Sequence, residues 1–474
     1  MAELNLENAK KMLKNHHQEH LLKFWDQLNE SQRESLLEQI GELDLGSIDK
    51  WISDVVLNTE PVAIKGKIEP APYYPAKPSD KTQAKFYAKA AAAGEEKIRT
   101  GKVSAFIVAG GQGTRLGFDG PKGDFPISPV RNKTFFQLFA EQIKAACQKY
   151  CVELPWYIMT SPLNHEVTCD IFEKNNCFGL DPLNIFIFQQ GTMPNFGPDG
   201  RILPADKATI SCSPDGHGGS IKALYKSGAI ADMKKRGVEY ISYFQVDNPL
   251  IDIFDPLFIG LHVLDESEMS SKALRKTSPT EKVGNFCLLD GRVTVIEYSD
   301  LDDELAHKTK DDGSYVFEMG SIAIHIISVP FVEKLNSKGF SLPLHRAVKK
   351  IECIDENGNH IEPDEPNGIK LETFVFDALP MAEKSTVLET IREREFAPVK
   401  NESGTDSPES ARRMMIERWA GWLESAGINV PRNADGTVNA RIEIAQGFAL
   451  DGDELKTKAD RIPDIKPGGE LYLQ

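Results

Sequence analysis

The chain has no uncharged apolar stretch approaching the ~18 residues that a membrane-crossing helix needs, and its opening, MAELNLENAKKML, has no secretory apolar core. Basic surface is also scarce. Against 71 Asp and Glu there are 55 Lys and Arg, a formal charge of −16, which argues against nucleic acid as a partner. The seven cysteines (Cys147, Cys151, Cys169, Cys177, Cys212, Cys287, Cys353) are odd in number and show no CxxC spacing. That excludes an evident disulfide framework or zinc site and leads us to expect the reduced thiols of a cytoplasmic protein. Internal repeats and low-complexity tracts are missing. Two common phosphate-loop signatures are missing as well: GxGxxG counted from Gly111 needs glycine where Leu116 stands, and a Walker A loop needs GKS or GKT where Lys122 is followed by Gly123. What remains is a globular composition, 41% hydrophobic and 27% charged, over 474 residues. At about 150 residues per domain this suggests two or three domains.

Within that chain one stretch stands out, VSAFIVAGGQGTRLGFDGPK, Val103 to Lys122. Val103 to Val108 is the right length and β-branched content for a buried strand. It breaks into Gly110, Gly111, Gln112, Gly113, Thr114 and Arg115. Glycines there let backbone N–H groups approach a phosphate chain, because no Cβ intervenes. Arg115 adds a guanidinium suited to phosphate oxygens and Lys122 a more mobile cation. This reads as a nucleoside-triphosphate site in an acidic protein, set against a glycine-rich connection with no ligand.

The rest of the chain supports the site. Residues up to about Val56 read as helices, with Leu13, Leu21, Phe24, Trp25 and Leu28 near helical spacing. Ser31 and Glu34 form a capping box ahead of Leu36, Leu37, Ile40 and Leu43. His16, His17 and His20 have no matching second ligand pair and are expected to be solvated rather than metal-bound. Pro61, Pro70, Pro72, Pro75 and Pro78 mark an extended linker that packs across the next domain. A helix over Ala84 to Ile98 precedes the first strand. Strands and helices then alternate: helix Thr134 to Tyr150, strand Trp156 to Thr160, helix His165 to Lys174, strand Ile185 to Gln189, helix Ser220 to Arg236, and strand Tyr240 to Val246. Such alternation predicts an α/β fold with a largely parallel sheet and helices on both faces. Ligands sit beyond the carboxyl ends of such strands, where the glycine loop, Gln190 and Asp247 all fall. Short β patterns come next at Val283 to Leu289, Val293 to Tyr298, Tyr315 to Glu318 and Ile322 to Ile327. A helix over Ala411 to Ala426 leads into a small β-rich appendage. The expected domains are 1–99, helical with the linker; 100–401, catalytic; and 402–474, the C-terminal piece.

Beyond this pattern, the motifs GGQGTRLG, PKG, FFQLFAEQI, FIFQQG, SPDGHGG, QVDNPL, TSPTEKVG, VIEYS, GIKLETFVFD and FAPVKN occur in an order that resembles the UDP-N-acetylhexosamine pyrophosphorylases, within the eukaryotic-type UDP-sugar pyrophosphorylases. The resemblance covers roughly residues 100 to 401. It implies a Rossmann-like (GT-A-like) nucleotidyltransferase with a mixed, mostly parallel sheet. The implied reaction moves a uridylyl group from UTP to a sugar 1-phosphate, giving a UDP-sugar and pyrophosphate, by in-line displacement at the α-phosphorus. No side-chain nucleophile is needed, which suits the lack of a convincing Ser/His/Asp or Cys/His arrangement.

By the same resemblance, Gly111, Gly113, Thr114 and Arg115 hold the triphosphate, and Arg115 and Lys122 stabilise the departing pyrophosphate. Asp247 binds Mg²⁺ and Lys400 neutralises the sugar phosphate. Uracil is placed near Ala109, Gly110, Gln190, Pro214 and Gly216, with His217 also among the nucleotide-binding residues; the sugar near Gly284, Glu297, Tyr298 and Ser321, walled by Phe374 and Phe376. Each residue also has a plainer reading: Asp247 as a helix cap, Lys400 as a solvated lysine, Gln190 as a strand-end amide, Phe374 and Phe376 as alternating core positions of a strand. Three departures from the family pattern stand out: Ser321 and His217 where asparagine is common, and Cys212 where methionine is common. Ser321 bears on the N-acetyl group, so glucose 1-phosphate or galactose 1-phosphate is the alternative substrate. A catalytically inactive UDP-sugar-binding module is a third reading, disfavoured by the retention of Arg115, Lys122, Asp247 and Lys400.

Overall fold

Six buried side chains in succession, Val103 to Val108 with only the last partly open, give the strand that the sheet is built outward from. In the computed structural model, which describes residues 4–59, 64–337, 339–340 and 342–474, this strand lies between Tyr240–Gln245 and Trp156–Thr160, parallel to both. Ile185–Gln189 adds a further parallel strand beyond Trp156–Thr160. On the other side, Met319–Ser328 pairs antiparallel with Tyr240–Gln245, then come Asn285–Leu289 and Ile68–Pro70 in a ten-stranded mixed sheet. The antiparallel pairs thus fall where the sequence crowds short β patterns after Asp247. Pairing sets Val108 beside both Gln245 and Met159, so the parallel strands end nearly level. The chain leaves Val108 for one side of the sheet and returns on the other, which puts a topological switch point directly after Val108.

The helices Phe135–Tyr150, capped by Thr134, and His165–Lys174 form as the spacing predicts. Three assignments move. The helix expected over Ser220 to Arg236 divides into Gly219–Lys226 and Ala229–Arg236, because Gly228 adopts φ 84° and interrupts the ladder. Tyr315 to Glu318 is not a strand; Tyr315 makes only an isolated bridge to Thr309. The strand predicted to reach Tyr298 ends at Ile296.

The chain forms two compact units: Met1–Ile64, Gln190–Ser220 and Ser341–Asp377 make up one, and Lys65–Gln189, Ile221–Phe340 and Ala378–Gln474 the other. In the first, Leu13, Leu36, Ile40 and Ile48 pack with Phe196, Ile202, Ile210, Ile369 and Leu371. The capping box there is Asn29 with Gln32, earlier in the chain than Ser31 with Glu34, because the helix already begins at Glu30. His16 meets Asp49 at 2.9 Å, and half-buried His20 meets the Ile202 carbonyl at 2.7 Å rather than water. Burial lowers the His20 pKa. In the second unit the proline-rich passage lies against the sheet, Tyr74 N–H donating to the Val387 carbonyl at 2.9 Å; Pro61 lies outside the described residues. The helix Pro408–Ser425 buries Met415, Trp419 and Leu423 in the same core as Ile442, Ile444, Leu471 and Leu473 of the parallel pair Ala440–Ile444 and Gly469–Leu473. Among the described residues no helix is long and apolar enough to cross a membrane.

The helices Lys81–Arg99 and Pro256–Leu264 cross with no room for side chains. A Cβ on Gly94 would stand 1.9 Å from the Pro256 carbonyl oxygen, and one on Gly260 1.7 Å from that of Ala90. Both obstacles are backbone, so neither can swing aside. Gly260→Ala is expected to destabilise the protein by about 1–3 kcal/mol, read as a lowered urea midpoint; an unchanged midpoint would contradict the crossing.

Candidate active site

The loop after Val108 is held by its own backbone and by one buried amide. Ala109 N–H donates to Met159 O at 2.7 Å, Gly113 N–H to Gly120 O at 2.9 Å, and Lys122 N–H to Gly111 O at 3.0 Å. Asn164 Nδ2 donates to Ala109 O at 3.0 Å and to Gly111 O at 3.4 Å, while its Oδ1 accepts from Ser161 N–H. Asn164 does not stand out in the sequence, where SPLNH looks like an ordinary helix start; its role shows only once strand ends are brought level.

The glycines divide by task. Gly113 has its N–H engaged internally, and a Cβ there would meet the Phe118 ring at 2.7 Å, so it shapes the loop. A Cβ on Gly111 would meet nothing within 4 Å. Among the described residues, the backbone N–H groups of Gly111, Gln112, Thr114 and Arg115 make no backbone hydrogen bond within the protein. Unengaged backbone donors and a position free of side-chain bulk are what an anion site requires. After Lys122 only glycine fits, since a Cβ on Gly123 would fall 2.1 Å from the Phe136 ring.

Lys122 ties the loop to the rest of the charges. Its Nζ donates to Val399 O at 3.2 Å, and Val399 N–H donates to Asp247 O at 2.9 Å. Burial holds the Lys122 pKa below that of a free lysine; Arg115 and Lys400 lower it further, and Asp247 opposes them. Those four groups therefore share one electrostatic neighbourhood at the switch point. Asn248, buried and equally inconspicuous in the sequence, donates to Glu395 O at 2.7 Å and accepts from Ala397 N–H at 3.0 Å, so the segment carrying Lys400 is stitched to the end of the Tyr240–Gln245 strand. Among the described residues no group of three or more His, Cys, Asp or Glu could cage a metal. Asp247, beside three cations that attract phosphate, is the kind of lone hard oxygen donor that Mg²⁺ uses together with water and phosphate oxygens.

In the same unit Gly284, Glu297 and Ser321 gather. Ser321 N–H donates to Gly284 O at 2.8 Å, and a Cβ on Gly284 would stand 3.4 Å from Glu297 Oε1. The register of Met269–Arg275 against Met319–Ser328 shifts between Ser271 and Ala273, and Ala323 has φ 55°, a bulge that re-aims the side chains around Ser321. Tyr298, past the strand end, is 44% exposed. Lys276 lies beside them, buried, bonded to Asn285 Oδ1 and lowered in pKa by burial.

The remaining expected residues belong to the other unit. Gln190 Nε2 donates to Asp215 Oδ1 at 3.2 Å. Gly216, at φ 81°, and Gly218 let the SPDGHGG turn, which begins at Pro214's strand, lie on the Thr373–Phe374 backbone, where Thr373 N–H donates to Asp215 O at 2.9 Å. His217 Nδ1 accepts from Val375 N–H at 3.1 Å, so the neutral ring carries its proton on Nε2. Its ring stacks on Phe374 at 5.2 Å; His345 stacks on Phe374 at 4.2 Å. Phe374 and Phe376 are not alternating strand positions: the strand ends at Glu372, and Val375–Met381 is a 3₁₀ turn. The 5.2 Å between their rings reflects that turn.

Known proteins share this sequence and this fold. The family profile described as UTP–glucose-1-phosphate uridylyltransferase matches residues 66–472. UDP-N-acetylhexosamine pyrophosphorylase-like protein 1 of Homo sapiens is 34% identical over 426 residues, 86% of this chain and 84% of its own. UDP-N-acetylglucosamine pyrophosphorylase of Saccharomyces cerevisiae is 37% identical over 382 residues, 78% of this chain and 79% of its own. The crystal structure of the uridine diphosphate N-acetylglucosamine pyrophosphorylase from Trypanosoma brucei, in complex with inhibitor, superposes with a TM-score of 0.82 at 25% identity, covering 100% of this chain and 98% of that one. A glycine loop with open amides at the switch point, its flanking cations and a profile match across most of the sequence lead to one assignment: the chain belongs to the UTP–glucose-1-phosphate uridylyltransferase family.

Proposed function

We propose that the chain transfers the uridylyl group of UTP to N-acetylglucosamine 1-phosphate, forming UDP-N-acetylglucosamine and pyrophosphate. The observation that carries this is the shared neighbourhood of Arg115, Lys122, Asp247 and Lys400 beside the unengaged amides of the glycine loop. The loop amides and the Arg115 guanidinium take the phosphate oxygens of UTP, and Lys122 neutralises charge that builds on the departing pyrophosphate. Lys400 takes the sugar phosphate. That phosphate is already ionised, so no general base is called for, and catalysis rests on alignment and charge. Asp247 would hold Mg²⁺, which when bound supplies Lewis-acid charge neutralisation at the reacting phosphates. Gly284, Glu297, Tyr298 and Ser321 are assigned to the sugar. The Gln190 amide with Pro214, Gly216 and His217 is assigned to the base, and Phe374 and Phe376 to aromatic walls. Seven unpaired cysteines suit the reducing cytoplasm as the site of the reaction.

One observation favours a second substrate reading: Ser321 presents a short hydroxyl at the bulge where asparagine is common. Pyrophosphate release from UTP should be compared for the 1-phosphates of N-acetylglucosamine, glucose and galactose. We expect the highest kcat/KM with N-acetylglucosamine 1-phosphate, and Ser321→Asn to widen the preference by up to about tenfold, the worth of one hydrogen bond. A preference for glucose 1-phosphate would move the assignment to the second reading, and no release with any of them would remove the enzymatic one.

A further inference from the structure

Glu395 and Lys272 are each 1% exposed, and they face one another as a buried ion pair. Lys272, on the strand Met269–Arg275, also donates to Asp255 Oδ2 at 2.7 Å. Glu395 Oε2 accepts from Thr390 Oγ1 at 2.6 Å, and its other oxygen lies 3.4 Å from Asp252 N–H. Burial works to lower the Lys272 pKa, but Asp255, Glu395 and Asp252 outweigh it and raise it, so the lysine stays charged. A buried ion pair is a poor source of stability: two well-packed apolar side chains usually serve as well or better. Its geometry is what an apolar pair cannot reproduce.

What that geometry fixes is the start of the segment that reaches the site. Glu395 is the last residue of the turn Arg392–Glu395, and its carbonyl is gripped by Asn248. Five residues on is Lys400, and between them Ala397 N–H meets Asn248 Oδ1 while Val399 bonds both Asp247 and Lys122. Lys122 and Lys400, the two cations assigned to opposite ends of the reacting phosphates, are therefore referenced to one short piece of backbone. We propose that the Lys272–Glu395 pair, acting through Asn248, is the positioning device that sets Lys400 for the sugar 1-phosphate. It touches no substrate and is not catalytic. The proposal rests on the reading of Lys400 as the sugar-phosphate cation.

The test compares Lys400→Ala, Glu395→Gln and Asn248→Ser in the full-length protein, with melting temperature, UTP binding by calorimetry and steady-state kinetics for each. Glu395→Gln keeps the side-chain shape, and Lys272 keeps Asp255, so folding is retained. Expected is a fall in kcat of about ten- to a hundredfold, the scale of a small misplacement at a reacting centre, a KM for sugar 1-phosphate raised at least about fivefold, and UTP affinity within about twofold of wild type. Asn248→Ser cuts the link without altering any charge and should reproduce the split. If Glu395→Gln and Asn248→Ser are kinetically silent while Lys400→Ala is impaired, the positioning role is wrong. Equal losses for UTP and sugar phosphate that track a lowered melting temperature would make the pair merely structural and would also overturn it. A silent Lys400→Ala would instead withdraw the assignment of Lys400 itself.

Discussion

Asp247→Asn is expected to lower kcat by about 10³-fold, corresponding to the several kcal/mol that a correctly held metal contributes to charge stabilisation at a phosphoryl centre. The substitution keeps the shape of the side chain and leaves the backbone carbonyl of residue 247 available to Val399 N–H, so the fold and the Lys400 segment stay in place. What changes is one negative charge beside Lys122, Arg115 and Lys400. With that charge gone, half-maximal activation should need markedly more Mg²⁺, while UTP binding in the absence of metal should hold or improve, because the cations lose an internal competitor. Turnover measured across a magnesium titration checks both. Wild-type turnover at an unchanged magnesium requirement would show that Asp247 is not the metal-holding carboxylate; a capping role is no alternative, because the next helix begins at Pro256 and is capped by Asp255.

Lys122→Met should separate stability from activity. Its kcat/KM is expected to fall by about 10²–10³-fold, the usual consequence of removing one preorganised donor from developing charge. The ligand-free variant should nevertheless melt no lower than wild type at neutral pH. Burial, with Arg115 and Lys400 adding to it, holds the Lys122 pKa below the ordinary 10.5. A lysine that binds its proton less tightly folded than unfolded makes the folded state less stable at every pH below its folded pKa. The handicap fades as pH rises from that value to the unfolded one and is gone above it. Methionine removes the handicap and the 3.2 Å bond to Val399 O together. Melting curves at neutral and alkaline pH should therefore start level or in favour of the variant, with wild type gaining on it as pH rises. Activity of the wild type should decline on the alkaline side before free lysine would deprotonate. A variant that melts well below wild type at neutral pH, with its turnover intact, would mean that Lys122 is an ordinary structural lysine.

Much of the site was legible because its parts are local. Val103–Val108, Trp156–Thr160 and Ile185–Gln189 are short apolar runs with clear ends, and residues just past the end of a parallel strand must lie at one edge of the sheet. The glycine loop and Asp247 are therefore placed by position alone. Lys400 was not legible that way: nothing about FAPVKN points to the switch point until Asn248 and the Asp247 carbonyl are seen to hold it. Asn164 and Lys272 escaped for the same reason, since each acts through partners distant in sequence, as between Lys272 and Glu395. The misread elements have local causes that pattern cannot weigh. Gly228 at φ 84° splits a helix that its apolar periodicity would continue, and Phe374 and Phe376 alternate in a segment whose shape is set by the SPDGHGG turn packed on its backbone. Gly113, which the family resemblance places at the triphosphate, closes its N–H on Gly120 and leaves the open donors to its neighbours.

The central claim is that UTP is held by loop amides and by the Arg115–Lys122–Asp247 group at the edge beyond Val108. A crystal structure of the protein with UTP and Mg²⁺ tests it most directly. The account predicts triphosphate oxygens within hydrogen-bonding distance of the Gly111 and Thr114 amides and of the Arg115 guanidinium, with the metal on the Asp247 carboxylate. Nucleotide density elsewhere on the protein, with that loop empty, would contradict it.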